Sequence, residues 1–178
     1  MKTILNTDIT IEDLQNVNYK YQLELTSKLD NLNDDFNQEI INEIVLWKVN
    51  RYSFFDDEAF TFLNLIDKKN EVLDVEHTTQ ILTKLLNIKG IQLAMASTIL
   101  RFKNPNIYQM IDQRVFRFIN GYNLPVYFSS IEKQIELYID YLQKLKQVCT
   151  EKEIEFRLSD RIIYELDRFH NKEIKIKY

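Results

Sequence analysis

The stretch Leu85-Leu86-Asn87-Ile88-Lys89-Gly90-Ile91-Gln92-Leu93-Ala94-Met95-Ala96 sets a single glycine between two apolar segments. Further along comes Met110-Ile111-Asp112-Gln113-Arg114-Val115-Phe116-Arg117. Ile81, Leu82 and Leu85 recur at helical spacing before the glycine, and a second helix is predicted from about Leu93 to Phe102. A turn of this kind points backbone amides and the second helix's N-terminus outward, a geometry suited to an anion such as a phosphate. Lys89 adds a positive charge to the turn. A plain helical corner capped by glycine would give the same pattern, so the turn alone does not decide the function.

Outward from this stretch, the chain reads as helices throughout. Only two glycines and two prolines occur among 178 residues, too few for the tight turns of a β-sandwich or the glycine-rich loops of a doubly wound sheet. The fold class is all-α. Thr10-Ile11-Glu12-Asp13 resembles a capping box, followed by Leu14, Val17, Tyr21 and Leu25 at helical intervals. Further helices are predicted over about Asp35–Lys48, from Asp56 or Asp57 through Ile66, and over Val75–Leu86. Asn104-Pro105 ends the helix after the glycine turn, because proline disfavours helical geometry in the residue before it. Asp112 to Ile119 follows, closed by Asn120-Gly121. Ser129-Ser130-Ile131-Glu132 is a second capping box, opening a helix to about Val148, and Ser159 or Asp160 caps a last helix through Phe169. The tail, Glu173 to Tyr178, reads as a short strand or a frayed end.

The net charge is −4, an unpromising sign for a nucleic-acid binder, yet its distribution is uneven. Between Lys84 and Arg117 stand six cations (Lys84, Lys89, Arg101, Lys103, Arg114, Arg117) against the single acid Asp112, a balance of +5 that leaves −9 for the rest. Such a segment suits phosphate attraction, although packing alone can produce it. Cys149 is the only cysteine, so neither an intrachain disulfide nor a cysteine-based zinc or iron–sulfur site is expected, and no metal or cofactor is called for. No apolar run reaches the roughly 18–20 residues of a membrane span, and the first residues lack the apolar core of a signal peptide. A cytoplasmic monomer with no membrane role is expected.

Together, Gly-Ile-x-x-Ala-x-Ala and the later Ile111-Asp112-Gln113-Arg114-Val115-Phe116-Arg117 resemble the hairpin and catalytic loop of the helix-hairpin-helix DNA glycosylases, the endonuclease III and MutY superfamily. The close resemblance covers about 35 residues. Ala94 stands where bifunctional members of that superfamily carry a lysine, and the 18 positions from 94 to 112 match the family spacing. Gln92 replaces the usual second glycine of the hairpin, and Lys89 a common proline. The resemblance implies a helix-hairpin-helix domain over 1–178, with one lobe at 34–120 carrying the hairpin at about 85–96. A second lobe would be built from 1–33 and 121–178, with the base pocket between the two.

The same resemblance assigns Asp112 as the catalytic carboxylate, beside the sugar from which an extruded base is cut. Its bland alternative, an N-cap for the helix that it begins, is compatible with that role. Lys89, Gly90, Gln92, Gln113, Arg114 and Arg117 are the DNA-contacting candidates. Trp47, Asn50, Arg51 and Tyr52 lie where relatives place the wedge and base-stacking loop, with core packing the competing role for Trp47. Without an amine at Ala94, hydrolysis by water is expected rather than lyase chemistry. The expected partner is double-stranded DNA carrying a modified or mispaired base. The alternatives are a hairpin module that binds DNA without catalysis, with Asp112 then tied up in salt bridges, and a helical protein that meets an acidic partner. His77 and His170 have no matching nucleophile or ligand set and read as solvated surface.

Overall fold

The computed structural model describes residues 10–15, 22–32, 36–49 and 53–176, and all regular structure among them is helical. In chain order the helices are α1 (Ile11–Gln15), α2 (Leu23–Asp30), α3 (Gln38–Lys48), α4 (Asp57–Asn64), α5 (Val75–Asn87), α6 (Leu93–Lys103), α7 (Gln113–Asn120), α8 (Ile131–Glu151) and α9 (Ser159–His170). The scarcity of glycine and proline is thus matched by an all-α architecture. The chain divides into two compact units, 1–52 and 53–178. The boundary differs from the expected lobes, because α8 packs on α5 and α7, and α9 on α7, inside one unit.

In the first unit α2 packs on α3. Gln22 begins α2 with a left-handed backbone, φ 43°, so the periodicity from Leu14 to Leu25 is not one continuous helix. The Trp47 indole donates to the Thr26 hydroxyl at 2.9 Å, and the Gln22 amide donates to the Trp47 carbonyl at 2.9 Å.

Short polar side chains start most helices of the second unit. Asp56, Asp74 and Asp112 accept backbone amides at the starts of α4, α5 and α7. At α8 the cap is Ser130 rather than Ser129, accepting from the Lys133 amide. Neither Ser159 nor Asp160 caps α9. A 3-10 turn, Phe156–Leu158, leads straight into that helix, and the Ser159 hydroxyl bonds back to the Phe156 carbonyl at 2.8 Å. Of the tail expected as a strand or frayed end, the described residues 173–176 form no strand and no helix, and 177–178 lie outside the described residues.

The core gathers α5, α6 and α8 around a non-helical segment, 108–112. A buried backbone without helix or sheet partners must find its hydrogen bonds elsewhere. The Tyr138 hydroxyl donates to the Gln109 carbonyl at 2.9 Å, and the Tyr141 hydroxyl to the Met110 carbonyl at 2.6 Å. The Ile111 amide donates to the Ser97 hydroxyl at 3.1 Å, and the Tyr108 hydroxyl pairs with that of Thr78 at 2.9 Å. Burial pushes the Tyr138 and Tyr141 phenols well above their ordinary pKa, which keeps both protonated as donors.

A buried ion pair joins α7 to α9. Arg117 grips Asp167 with two bonds, at 2.8 and 2.7 Å, Arg114 reaches the same carboxylate at 3.1 Å, and Asn171 donates to it at 2.8 Å. Burial alone would raise the Asp167 pKa, but the bonds from Arg117, Asn171 and Arg114 outweigh it and hold the carboxyl below its ordinary 3.8. The pair therefore stabilises the fold at neutral pH, and that contribution is lost as pH falls through the lowered pKa. Asp167→Asn should cost about 3–5 kcal/mol at pH 7, since Arg117 keeps its charge inside the fold without a carboxylate. Urea denaturation at pH 7 and at about pH 3 should show the deficit narrowing in acid.

Candidate active-site cleft

Asp112 closes the 108–112 segment and caps α7, and its position follows from what holds that segment on both sides. Before it, Met110 and Ile111 are pinned by Tyr141 and Ser97. After it, the Asp112 Oδ1 accepts from the Arg114 amide at 2.7 Å and from the Val115 amide at 2.8 Å. Both bonds fall on one oxygen, and among the described residues nothing bonds Oδ2. Burial raises the Asp112 pKa, opposed by the Val115 and Arg114 amides and the Arg114 charge, while the Asp167 carboxylate adds a smaller upward push.

This carboxylate stands on the wall of a cleft of about 480 Å³. Its walls are the start of α6 (Gln92, Leu93, Ala94), Asp112 and Gln113, the segment 124–128, and Gln134 of α8. The lining residues are mostly apolar and aromatic; those with polar side chains are Asp112, Tyr127 and the amides Gln92, Gln113 and Gln134. The lining joins 92–94, 112 and 113 of the expected hairpin lobe to 124–128 and 134 of the expected second lobe, and all of it belongs to the second compact unit.

The turn before α6 leads into the cleft wall at Gln92. Gly90 takes φ 89°, a left-handed conformation that L side chains rarely adopt, and the Ser53 hydroxyl donates to the neighbouring Lys89 carbonyl at 3.1 Å. Gln92 starts α6 without a side-chain cap, unlike Asp56, Asp74 and Asp112 at their helices. The first amides of α6 are thus not covered by a capping side chain, and Lys89 is exposed beside them.

The structure brings Asp112, Gln92 and Gln113 into one cleft but takes the two arginines elsewhere. Arg117 is 6% exposed and locked to Asp167, which removes it from the DNA-contacting candidates. Arg114 reaches inward to the same carboxylate and lies over the Tyr164 ring at 5.6 Å. Arg101 is buried against Asp160, and Lys84 pairs with Glu58 at 2.6 Å. The basic window is therefore largely neutralised by acids from other parts of the chain. Among the described residues, Lys89 and Lys103 remain the cations of that window without an ion pair.

Trp47 sits half-buried in the first unit, while Asn50, Arg51 and Tyr52 lie outside the described residues. His77 is not simply solvated: its ring stacks on Phe62 at 6.0 Å. His170 is exposed and stacks on Phe118. Among the described residues no cluster of three or more histidine, cysteine or carboxylate side chains is placed to hold a metal, and no described helix is long and apolar enough to cross a membrane.

Sequence reasoning missed the 124–128 segment, Gln134 and the anchoring roles of Tyr138, Tyr141 and Asp167. The apolar, proline-containing run Leu124-Pro125-Val126-Tyr127-Phe128 between two helices was the available signal. Comparison with protein-family models, curated proteins and solved structures finds no match to this chain.

The turn yields a test of its own. Gly90→Ala should cost about 1–2 kcal/mol, because it forces a side chain into left-handed geometry. The added methyl would also lie 3.1 Å from the Ser53 hydroxyl oxygen. Ser53→Ala in the same chain should recover only the contact and leave most of the loss, which urea denaturation of both variants will resolve.

Proposed function

We propose that this chain hydrolyses the N-glycosidic bond of a modified or mispaired base in DNA, with Asp112 as its catalytic carboxylate. The observation carrying the reading is the Asp112 carboxylate on the wall of an apolar cleft, with both cap bonds on Oδ1 and Oδ2 unbonded. A volume of about 480 Å³ is within the range of small-ligand sites, roughly 300–1,000 Å³. The non-catalytic alternative called for an Asp112 consumed by Arg114 or Arg117 and no adjoining cavity. Both arginines are instead taken by Asp167.

The chemistry follows from the placement. As the C1′–N bond lengthens, positive charge develops on the sugar, and a fixed carboxylate stabilises it. Water forms the new C1′–O bond, its proton passes to Asp112 or to solvent, and the base departs with the bonding electron pair and is then protonated. A pKa raised by burial makes Asp112 a stronger proton acceptor than a solvated aspartate. Ala94, on the same wall, offers no amine for a covalent intermediate, so the product is an intact abasic strand. The uncapped start of α6 and the exposed Lys89 are suited to a backbone phosphate. With the arginines internally paired, few phosphate contacts remain, and a shallow salt dependence is expected.

Asp112→Asn should keep the cap acceptor, losing at most about 1 kcal/mol of stability. Its single-turnover excision should fall about 100- to 1,000-fold while binding to the same duplex persists. In the parent, excision should decline in acid around a pKa above the ordinary 3.8, since the ionised form is required and burial raises that pKa. The residual rate of the asparagine variant should show no such decline. An excision rate within about threefold of the parent would remove Asp112 from the mechanism.

Lys89→Glu should weaken binding to every duplex, whatever its sequence, and flatten the dependence on salt. Anisotropy titrations at several salt concentrations measure both. Unchanged affinity and slope would exclude the turn as a phosphate contact.

A further inference from the structure

The segment 124–128 forms a ridge with a cleft on each side. Pro125, Tyr127 and Phe128 line the Asp112 cleft and also a second cleft of about 410 Å³, walled by Phe116, Tyr122 and Tyr141 among others. Both ends of the ridge are anchored. The Gln113 amide, next to Asp112 in the chain, donates to the Leu124 carbonyl at 2.9 Å, and Leu124 and Phe128 pack against the core. Between these anchors the chain lifts three residues outward. Val126 is 53% exposed and Tyr127 91%, the highest value among the large apolar and aromatic side chains described. An aromatic ring almost wholly in water contributes nothing to the core, yet here it is carried on an anchored ridge at the lip of the proposed active site.

We propose that Tyr127 is the wedge of this protein, its ring entering the duplex and stacking in the space that the extruded base vacates. The inference rests on reading the Asp112 cleft as a base-excision site. It gives that role, in place of the stretch Trp47–Tyr52, to a residue that lines the same cleft as Asp112. An extruded base leaves a gap with two unstacked neighbours, and a flat ring entering it recovers their stacking. Exposure of the ring excludes it from the floor of the pocket. Anchoring by Gln113 ties the wedge to the residue beside Asp112, so insertion and the approach of the sugar to the carboxylate are registered by one short piece of chain. The hydroxyl is not needed for stacking, so a phenylalanine serves equally.

The test uses the full chain and two duplexes, one intact and one with a tetrahydrofuran abasic analogue, which presents the gap already made. Tyr127→Ala and Tyr127→Phe are compared with the parent by anisotropy at several salt concentrations. The parent should prefer the abasic duplex. Tyr127→Ala should reduce affinity for that duplex by roughly 5- to 100-fold, the range for one base–aromatic stack, and leave the intact duplex little changed. Its salt slope should not move, because an apolar contact releases no counterions. Tyr127→Phe should behave as the parent, and thermal unfolding of both variants should match it, given how little the ring touches. A parent without preference for the abasic duplex, or an alanine variant that keeps it, overturns the assignment. A preference that alanine removes, in a parent that excises no base from any lesion duplex, upholds the wedge and overturns the glycosidic chemistry. Excision with an unaffected preference does the reverse.

Discussion

Residues 109–111 cross the interior outside any helix, and side chains of the second unit meet their backbone groups. Peptide groups left unpaired in a core each cost on the order of 1–3 kcal/mol, so side chains must stand where those groups point. Tyr138 and Tyr141 descend from one face of α8, and Ser97 comes from α6. Each brings its helix to a definite place. The carboxylate at the end of the segment inherits that precision, since the residues before Asp112 have almost no freedom to shift.

The Arg117–Asp167 pair does the same work from the other side. It holds α7, the helix that Asp112 caps, against α9. Arg114 joins the same carboxylate, so its guanidinium pairs with Asp167 and not with Asp112. Charges that look in the sequence like a patch for DNA are largely structural.

The cleft combines two sources of order. One wall is regular helix, from the start of α6 and from α8, and the other is the ridge tied back by Gln113. A carboxylate raised in pKa by burial, an uncapped helix start and an exposed ring converge there without sharing a secondary-structure element.

Much of the fold was legible along the chain. Helical spacing, Asp56 and Asp112 as caps, and Asn104-Pro105 and Gly121 as stops are local properties, decided within a turn or two of backbone, and α3 to α8 stand close to where the residues put them. The glycine turn and the placement of Asp112 at the head of α7 were legible for the same reason. What only the tertiary structure decided concerns partners far apart in sequence. Arg117 and Asp167 are separated by 50 positions, and Tyr141 and Met110 by 31, and no local pattern records such pairs. The division at 52–53, the fate of the basic window and the cleft with its ridge all depend on which distant acids and hydroxyls meet which groups. Hydrogen bonds and ion pairs act over a few ångströms of space, whatever the distance along the chain, so the sequence by itself determined the helices and the folded packing determined the site.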